Sequence, residues 1–207
     1  MSDGQRFAFR GLGAAISNLL LAILFIGFAY AHLQRFLVQP RLSLLLIVAV
    51  EGLVAVILVI RRDPENTQHG WKTWGATSIG TFAPMLLRPI DAPTDLLVGQ
   101  ILQVAAIGLQ IGAVLSLNRS FGLLPAHRGV KSGGLYRWVR HPLYSAYLLA
   151  HVGYLASNMS WANVLVVVTG TAFQVVRILQ EERLLLQYPD YARYSGTTRW
   201  RLVPAIW

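Results

Sequence analysis

Long apolar runs alternate along the chain with short polar connections rich in arginine. A bilayer core of about 30 Å takes roughly 20 helical residues at about 1.5 Å rise each. Gly11 to Ala31 and Leu96 to Leu117 meet that length without a charge, and Leu42 to Ile60 does so with Glu51 as its one break. Thr73 to Leu87 is shorter and contains Pro84, a residue that kinks or interrupts a helix. Leu143 to Ala156 and Trp161 to Leu179 read as a final hairpin, turned at Ser157-Asn158-Met159-Ser160, whose polar residues suit a tight connection. The pattern predicts an all-α integral membrane protein with about six transmembrane helices.

Charge orients these helices. Of the 18 Lys and Arg, only Arg35, Arg41 and Arg88 fall on one side if the loops alternate. The bias predicts a multi-pass protein with both termini in the cytoplasm, and it puts the Asn118 to Arg140 loop and Glu181-Glu182 on the same face. The first apolar run lacks a small-residue cleavage site ahead of a soluble domain, so it is expected to stay as a membrane helix. At 55% hydrophobic and 13% charged, the 207 residues lie outside the balance of a soluble domain. The net charge of +9 therefore does not point to nucleic acid, since no soluble domain carries a basic face. The arginines sit at the ends of apolar runs, as topology signals and headgroup contacts. With no cysteine, disulfides, thiolate ligands and a cysteine nucleophile are excluded. Five histidines without H-x-x-x-H spacing predict no metal site.

Chemistry concentrates in Gly133 to Tyr144, GGLYRWVRHPLY, and in the acidic pair about one helical hairpin later. The uncharged run between His141 and Arg177 is long enough for two helices, so a hairpin returns Glu181-Glu182 to the Arg140-His141-Pro142 element. Proline is well placed in a first helical turn, where its missing N–H has no partner in any case. That helix start can hold an anion on its free N–H groups; it also fits a plain loop-to-helix boundary with Arg140 on a lipid phosphate. Adjacent helical residues point about 100° apart, so Glu181 and Glu182 cannot serve the same atom. The pair also fits a solvated helix end paired with Arg183. Arg177 and Glu181, at i and i+4, share one helix face. Glu51 is an intramembrane carboxylate, hence either functional or hydrogen-bonded to a neighbouring helix. His32 and His151 read as packing residues.

The ordered set Gly134-Leu135-Tyr136, Arg140-His141-Pro142-Leu143-Tyr144, apolar hairpin, Glu181-Glu182 and terminal Tyr191 and Tyr194 resembles the isoprenylcysteine carboxyl methyltransferase family. That family is related to the membrane phospholipid methyltransferases. The resemblance runs from about Asn118 to the C-terminal end, with Tyr188-Pro189-Asp190-Tyr191 where many members carry a longer Phe-Gly stretch. It divides the chain into a four-helix membrane segment, residues 1–117, and a catalytic region, residues 118–207, within one compact domain. It implies S-adenosylmethionine as methyl donor and a lipophilic acceptor, a small molecule or a lipid-modified one, methylated on a carboxyl oxygen. N-methylation of a phospholipid headgroup is the alternative.

By the same resemblance, His127, Val130, Tyr136, Arg140, His141, Pro142, Leu143, Tyr144 and Glu182 contact the cofactor, with one extra residue here between Val130 and Tyr136. Arg177 and Glu181 face the acceptor. The chemistry is coherent: a carboxylate is already ionised and needs orienting, whereas an amine has to lose a proton, for which Glu181 is a base. A transporter would line several spans with polar residues, and in sequence only Glu51 does so. A non-catalytic scaffold is the remaining alternative.

Overall fold

Among the residues described by the computed structural model, 3–60, 71–92, 94–117 and 130–207, the regular elements are all helical. They are α1 (Asp3–Val38), α2 (Leu42–Ile60), α3 (Trp71–Phe82), α4 (Leu97–Leu117), α5 (Pro142–Ser157), α6 (Trp161–Leu185) and α7 (Pro189–Thr197). α1 packs on α2, α4 on α5 and α3 on α6, with α2 bridging to α4 and α5. In α1 the residues Ala22, Phe25, Ala29 and His32 are buried at helical spacing, while Ile16, Leu19, Leu20, Ile23 and Leu24 are exposed. The periodicity divides a helix core side from a lipid side. α4 buries only small and amide residues, Gly99, Gln103, Ala106, Gln110 and Ala113.

Close approach explains those glycines. A Cβ on Gly99 would lie 2.7 Å from the Gly153 carbonyl, and one on Gly153 would lie 2.8 Å from that of Gly99. Small residues let membrane helices touch backbone to backbone, where dispersion and not hydrophobicity drives association. Gly80 plays the same part between α3 and α6, where a Cβ would come within 3.3 Å of the Gln174 nitrogen.

Four helices are long and apolar enough to cross a membrane: Ala15–Val38, Leu42–Val59, Leu97–Leu117 and Trp161–Leu185. Two of the six expected spans are shorter. α5 has 16 residues, and α3 has 12 before the chain tightens into a 3-10 helix at Ala83–Leu86. Pro84, without an N–H to donate, ends the α-helical ladder there. The apolar pattern continued to Leu87, but the backbone pattern did not.

Polar residues are not confined to the end that carries the Arg-His-Pro element. At the end opposite the Arg-His-Pro element, Arg41 pairs with Asp95 at 2.7 Å and donates to the carbonyls of Ile90 and Ser157. Ser43 gives Asp95 both its backbone N–H and its hydroxyl, and the Asn158 and Asn163 amides bind the chain at Ile90 and Arg88. Burial opposes the Asp95 charge, but the Ser43 hydrogen bonds and Arg41 hold its carboxyl below the ordinary value. This knot ties the connection after α3 to α2 and α5. His32 meets the Phe28 carbonyl and the Tyr154 hydroxyl, a packing role.

Candidate active site

The approach to α5 is shaped by Gly134, whose φ is +58, a backbone region costly for any residue with a Cβ. A Cβ there would also lie 2.2 Å from the Ser116 hydroxyl at the end of α4. The tight turn lets the 3-10 helix Gly134–Arg137 point Tyr136 inward. Pro142 then opens α5, and His141, its N-cap, makes no side-chain cap bond. Its imidazole turns instead to α6, with Nε2 at 3.2 Å from Glu182 Oε1.

Two arginines and a histidine converge on that one carboxylate. Arg140 Nε lies 2.8 Å from Oε1, its Nη2 lies 3.4 Å from Oε2, and Arg201 Nε donates to Oε2 at 2.7 Å. Glu182 is 3% exposed, so its charge depends on these partners. Arg201 arrives by backbone pairing: the N–H groups of Arg140 and His141 donate to the carbonyls of Trp200 and Arg201 at 2.8 and 2.9 Å. Ser145 adds a hydroxyl bond to the Leu202 carbonyl, and the Arg201 guanidinium lies over the Trp207 ring.

Beside this cluster stands an aromatic wall. Tyr136, Tyr191 and Tyr194 pack together with Val130, Leu117 and Leu185. The Tyr194 hydroxyl donates to the Tyr136 carbonyl at 2.5 Å. Burial raises all three phenols, that of Tyr194 to about 12, so they remain hydrogen-bond donors at neutral pH. The Tyr191 hydroxyl is buried with no partner among the described residues.

Tyr144 links this cluster to a second group. Its ring lies 5.6 Å from that of His141, tilted against it, and the Arg177 guanidinium sits over it at 5.1 Å. Its hydroxyl donates to Glu181 Oε2 at 3.2 Å. Arg177, 5% exposed, also reaches the Thr81 hydroxyl on α3 at 3.5 Å. The two glutamates thus have different partners, as their angular separation on α6 requires.

Residues 92–187 match the model of the isoprenylcysteine carboxyl methyltransferase (ICMT) family. The chain carries an ICMT-family domain. No curated protein matches it. The ICMT domain is that of a membrane methyltransferase, in keeping with the long apolar helices. It starts before Asn118, where the motifs place the resemblance, and so includes α4, and it ends at Gln187, before α7. The inclusion of α4 has a physical basis, because α4 supplies the glycine contact to α5 and the Ser116 wall of the Gly134 turn.

Of the ICMT-type residues named from sequence, the structure brings Arg140, His141 and Glu182 together in one cluster, and Tyr144, Arg177 and Glu181 in the next. Val130 and Tyr136 stand in the aromatic wall, and Pro142 at the helix start. The Leu143 side chain packs among Val54, Leu58 and Ala113 in the helix core. His127 lies outside the described residues. Glu182 has Arg140, His141 and Arg201 as its ion-pair partners, where the solvated-end reading named Arg183. Sequence reasoning missed Arg201 and Thr81. No spacing ties Arg201 to Glu182; only the backbone pairing does.

Proposed function

We propose that this chain transfers a methyl group from S-adenosylmethionine to the carboxylate of a lipophilic acceptor, at a site on the cytoplasmic face of the membrane. In this reading α3 with its following turn, and α5, complete six crossings, and α4 joins the region after residue 117 in carrying catalysis. The observation that carries the proposal is Arg177: a buried guanidinium inside an ICMT-family domain, over the Tyr144 ring and one helical turn from Glu181.

The residues present fit the cofactor. Arg140, His141 and the free N–H groups at the start of α5 suit its carboxylate, and Glu182 suits its amino group. The faces of Tyr136 and Tyr144 suit a sulfonium, with Val130 as apolar cover. The unpartnered Tyr191 hydroxyl suits a ribose or adenine nitrogen or oxygen. When bound, the cofactor supplies an electrophilic methyl group.

The rest belongs to the protein. Arg177 presents a planar pair of N–H donors that grips a carboxylate at two points and turns one oxygen toward the donor side. Tyr144 and Thr81 hold that guanidinium in place, which leaves less motion to be frozen when the acceptor enters. Burial among α3, α5 and α6 excludes water and strengthens the grip. Glu181, held by the Tyr144 hydroxyl, has no proton to remove from an ionised acid and shapes the acceptor side instead.

Turnover of Arg177→Ala and Glu181→Gln at saturating S-adenosylmethionine tests this. Arg177→Ala is expected to lose roughly a hundredfold or more in kcat/KM with unchanged cofactor affinity, as for a misplaced reactant, with Lys restoring only part. A mild Arg177→Ala and a severe Glu181→Gln would indicate an amine acceptor, as in phospholipid N-methylation. Near-parental activity in both would overturn the placement of α6.

A further inference from the structure

Two exposed Arg-Trp dipeptides, Arg137-Trp138 and Arg199-Trp200, have no place in the mechanism above. Backbone pairing brings them onto neighbouring segments. The Arg140 N–H donates to the Trp200 carbonyl at 2.8 Å, and the Thr198 hydroxyl donates to the Arg137 carbonyl at 3.5 Å. Inward, these segments send Arg140, His141 and Arg201 to Glu182. Outward, Arg137 and Arg199 are exposed, Trp138 is 59% exposed and Trp200 37%. The Arg137 guanidinium lies 5.0 Å from the centre of the Trp138 ring, so cation and indole form one unit.

Nothing acidic answers these cations. Residues 130–144 and 191–207 contain no Asp or Glu, and neither arginine has an ion-pair partner among the described residues. Orientation by charge needs arginine alone; an exposed indole beside each guanidinium suits the headgroup layer, where an apolar ring and a phosphate donor are both of use. Depth agrees. α5 begins at Pro142 and has 16 residues, a rise of about 24 Å against a bilayer core of roughly 30 Å. A span that short draws its flanking residues toward the headgroups, and Arg137 and Trp138 stand just ahead of it. Arg140, which one reading of the sequence put on a lipid phosphate, is turned to Glu182 and leaves that contact to Arg137 and Arg199. The family match ends at Gln187, so Arg199 and Trp200 lie outside it.

We infer that Arg137, Trp138, Arg199 and Trp200 bind the phosphate of an anionic phospholipid, in the leaflet that the candidate active site faces, and that the bound lipid steadies the pairing which carries Arg201 to Glu182. Each guanidinium offers phosphate oxygens a planar pair of N–H donors. The indoles lie against the glycerol and the upper acyl carbons. A zwitterionic headgroup brings the same phosphate with its own ammonium, which these unpaired cations repel. Lipid binding here does not depend on which group is methylated.

The test titrates detergent-purified protein with phosphatidylglycerol and, separately, with phosphatidylcholine, reading retained lipid by native mass spectrometry and stability by thermal melts. The parent is expected to prefer phosphatidylglycerol by roughly 25-fold, about fivefold for each arginine near an anionic surface, and to melt higher with it. Arg137→Gln combined with Arg199→Gln is expected to bring the ratio near unity and abolish the gain in melting temperature. Lys at both positions restores part, since it keeps the charge and loses the fork. Arg183→Gln with Arg193→Gln, which removes as much exposed charge from the same end, is expected to leave most of the preference. An equal loss from that control would overturn a defined site, and a melt that phosphatidylglycerol leaves unchanged would overturn the steadying. No preference in the parent, inorganic phosphate raising the melt as far as the lipid, or poly-glutamate bound in place of the lipid would each overturn the headgroup as ligand.

Discussion

Glu182→Gln is the most demanding substitution in this site, because it keeps shape and removes only charge. In the parent, one carboxylate with 4% side-chain exposure serves Arg140 at 2.8 Å, His141 at 3.2 Å and Arg201 at 2.7 Å. The glutamine amide offers one oxygen. Whichever way it turns, an NH2 faces either Arg201 or the Arg140-His141 side, donor against donor. One charge-assisted bond contributes about 1.5–3 kcal/mol, and breaking a buried ion pair costs about 3–5 kcal/mol. We take about 3 kcal/mol, or roughly two orders of magnitude in an equilibrium constant. The loss is expected in S-adenosylmethionine affinity, since Arg140 and His141 are no longer held at the start of α5, and also in thermal stability, since the C-terminal tail loses the anchor of Arg201. The assay is calorimetric titration of cofactor into detergent-purified protein at fixed salt, with thermal melts beside it. Arg201→Gln in the Glu182→Gln background is expected to add little, a coupling of about 1.5–3 kcal/mol between the two sites. A cofactor affinity within about threefold of the parent, far inside that margin, together with an unchanged melt, would refute the reasoning.

Gly134→Ala is expected to cost about 1–2 kcal/mol from the left-handed backbone alone, with more from the Ser116 contact, and to weaken cofactor binding through Tyr136. Melts and titrations of Gly134→Ala with and without Ser116→Ala check it, and only the contact part is expected to recover. Asp95→Asn is expected to cost about 3 kcal/mol or more at neutral pH, because it strands the buried Arg41. The Asp95 carboxyl lies below its ordinary value of 3.8 in the folded state, so its stabilisation is complete above about pH 4 and is lost as pH falls through the depressed value. Melts from neutral to acid pH are therefore expected to show the parent losing its advantage over Asp95→Asn on the acid side, and parallel curves would contradict this.

The helices were legible where the apolar run and the backbone pattern coincide. Leu42–Ile60 was read to the residue, and Leu97–Leu117 to within one. The third run was overextended, because hydropathy does not register the missing N–H of Pro84. The last span was cut at Leu179 by charge, yet α6 continues to Leu185, since Glu182 is neutralised by its partners and Glu181 is held by Tyr144. Motif order carried the family, and residue spacing carried the separation of the two glutamates. The Arg41-Asp95 knot and Arg201 were not legible, because each depends on pairings between segments about fifty residues or a whole hairpin apart, with no periodicity to announce them. The buried amides of α4, Gln103 and Gln110, were passed over inside an apolar run for the same reason.

The central claim is that a carboxyl oxygen accepts the methyl group. It is tested most directly by incubating the purified chain with methyl-labelled S-adenosylmethionine and a membrane lipid extract supplemented with N-acetyl-S-farnesylcysteine, then treating the labelled lipid product with base. A methyl ester is cleaved and releases its label as volatile methanol, and that is the result expected. Label that stays on the lipid after base treatment would mark an N-methyl product and contradict the claim.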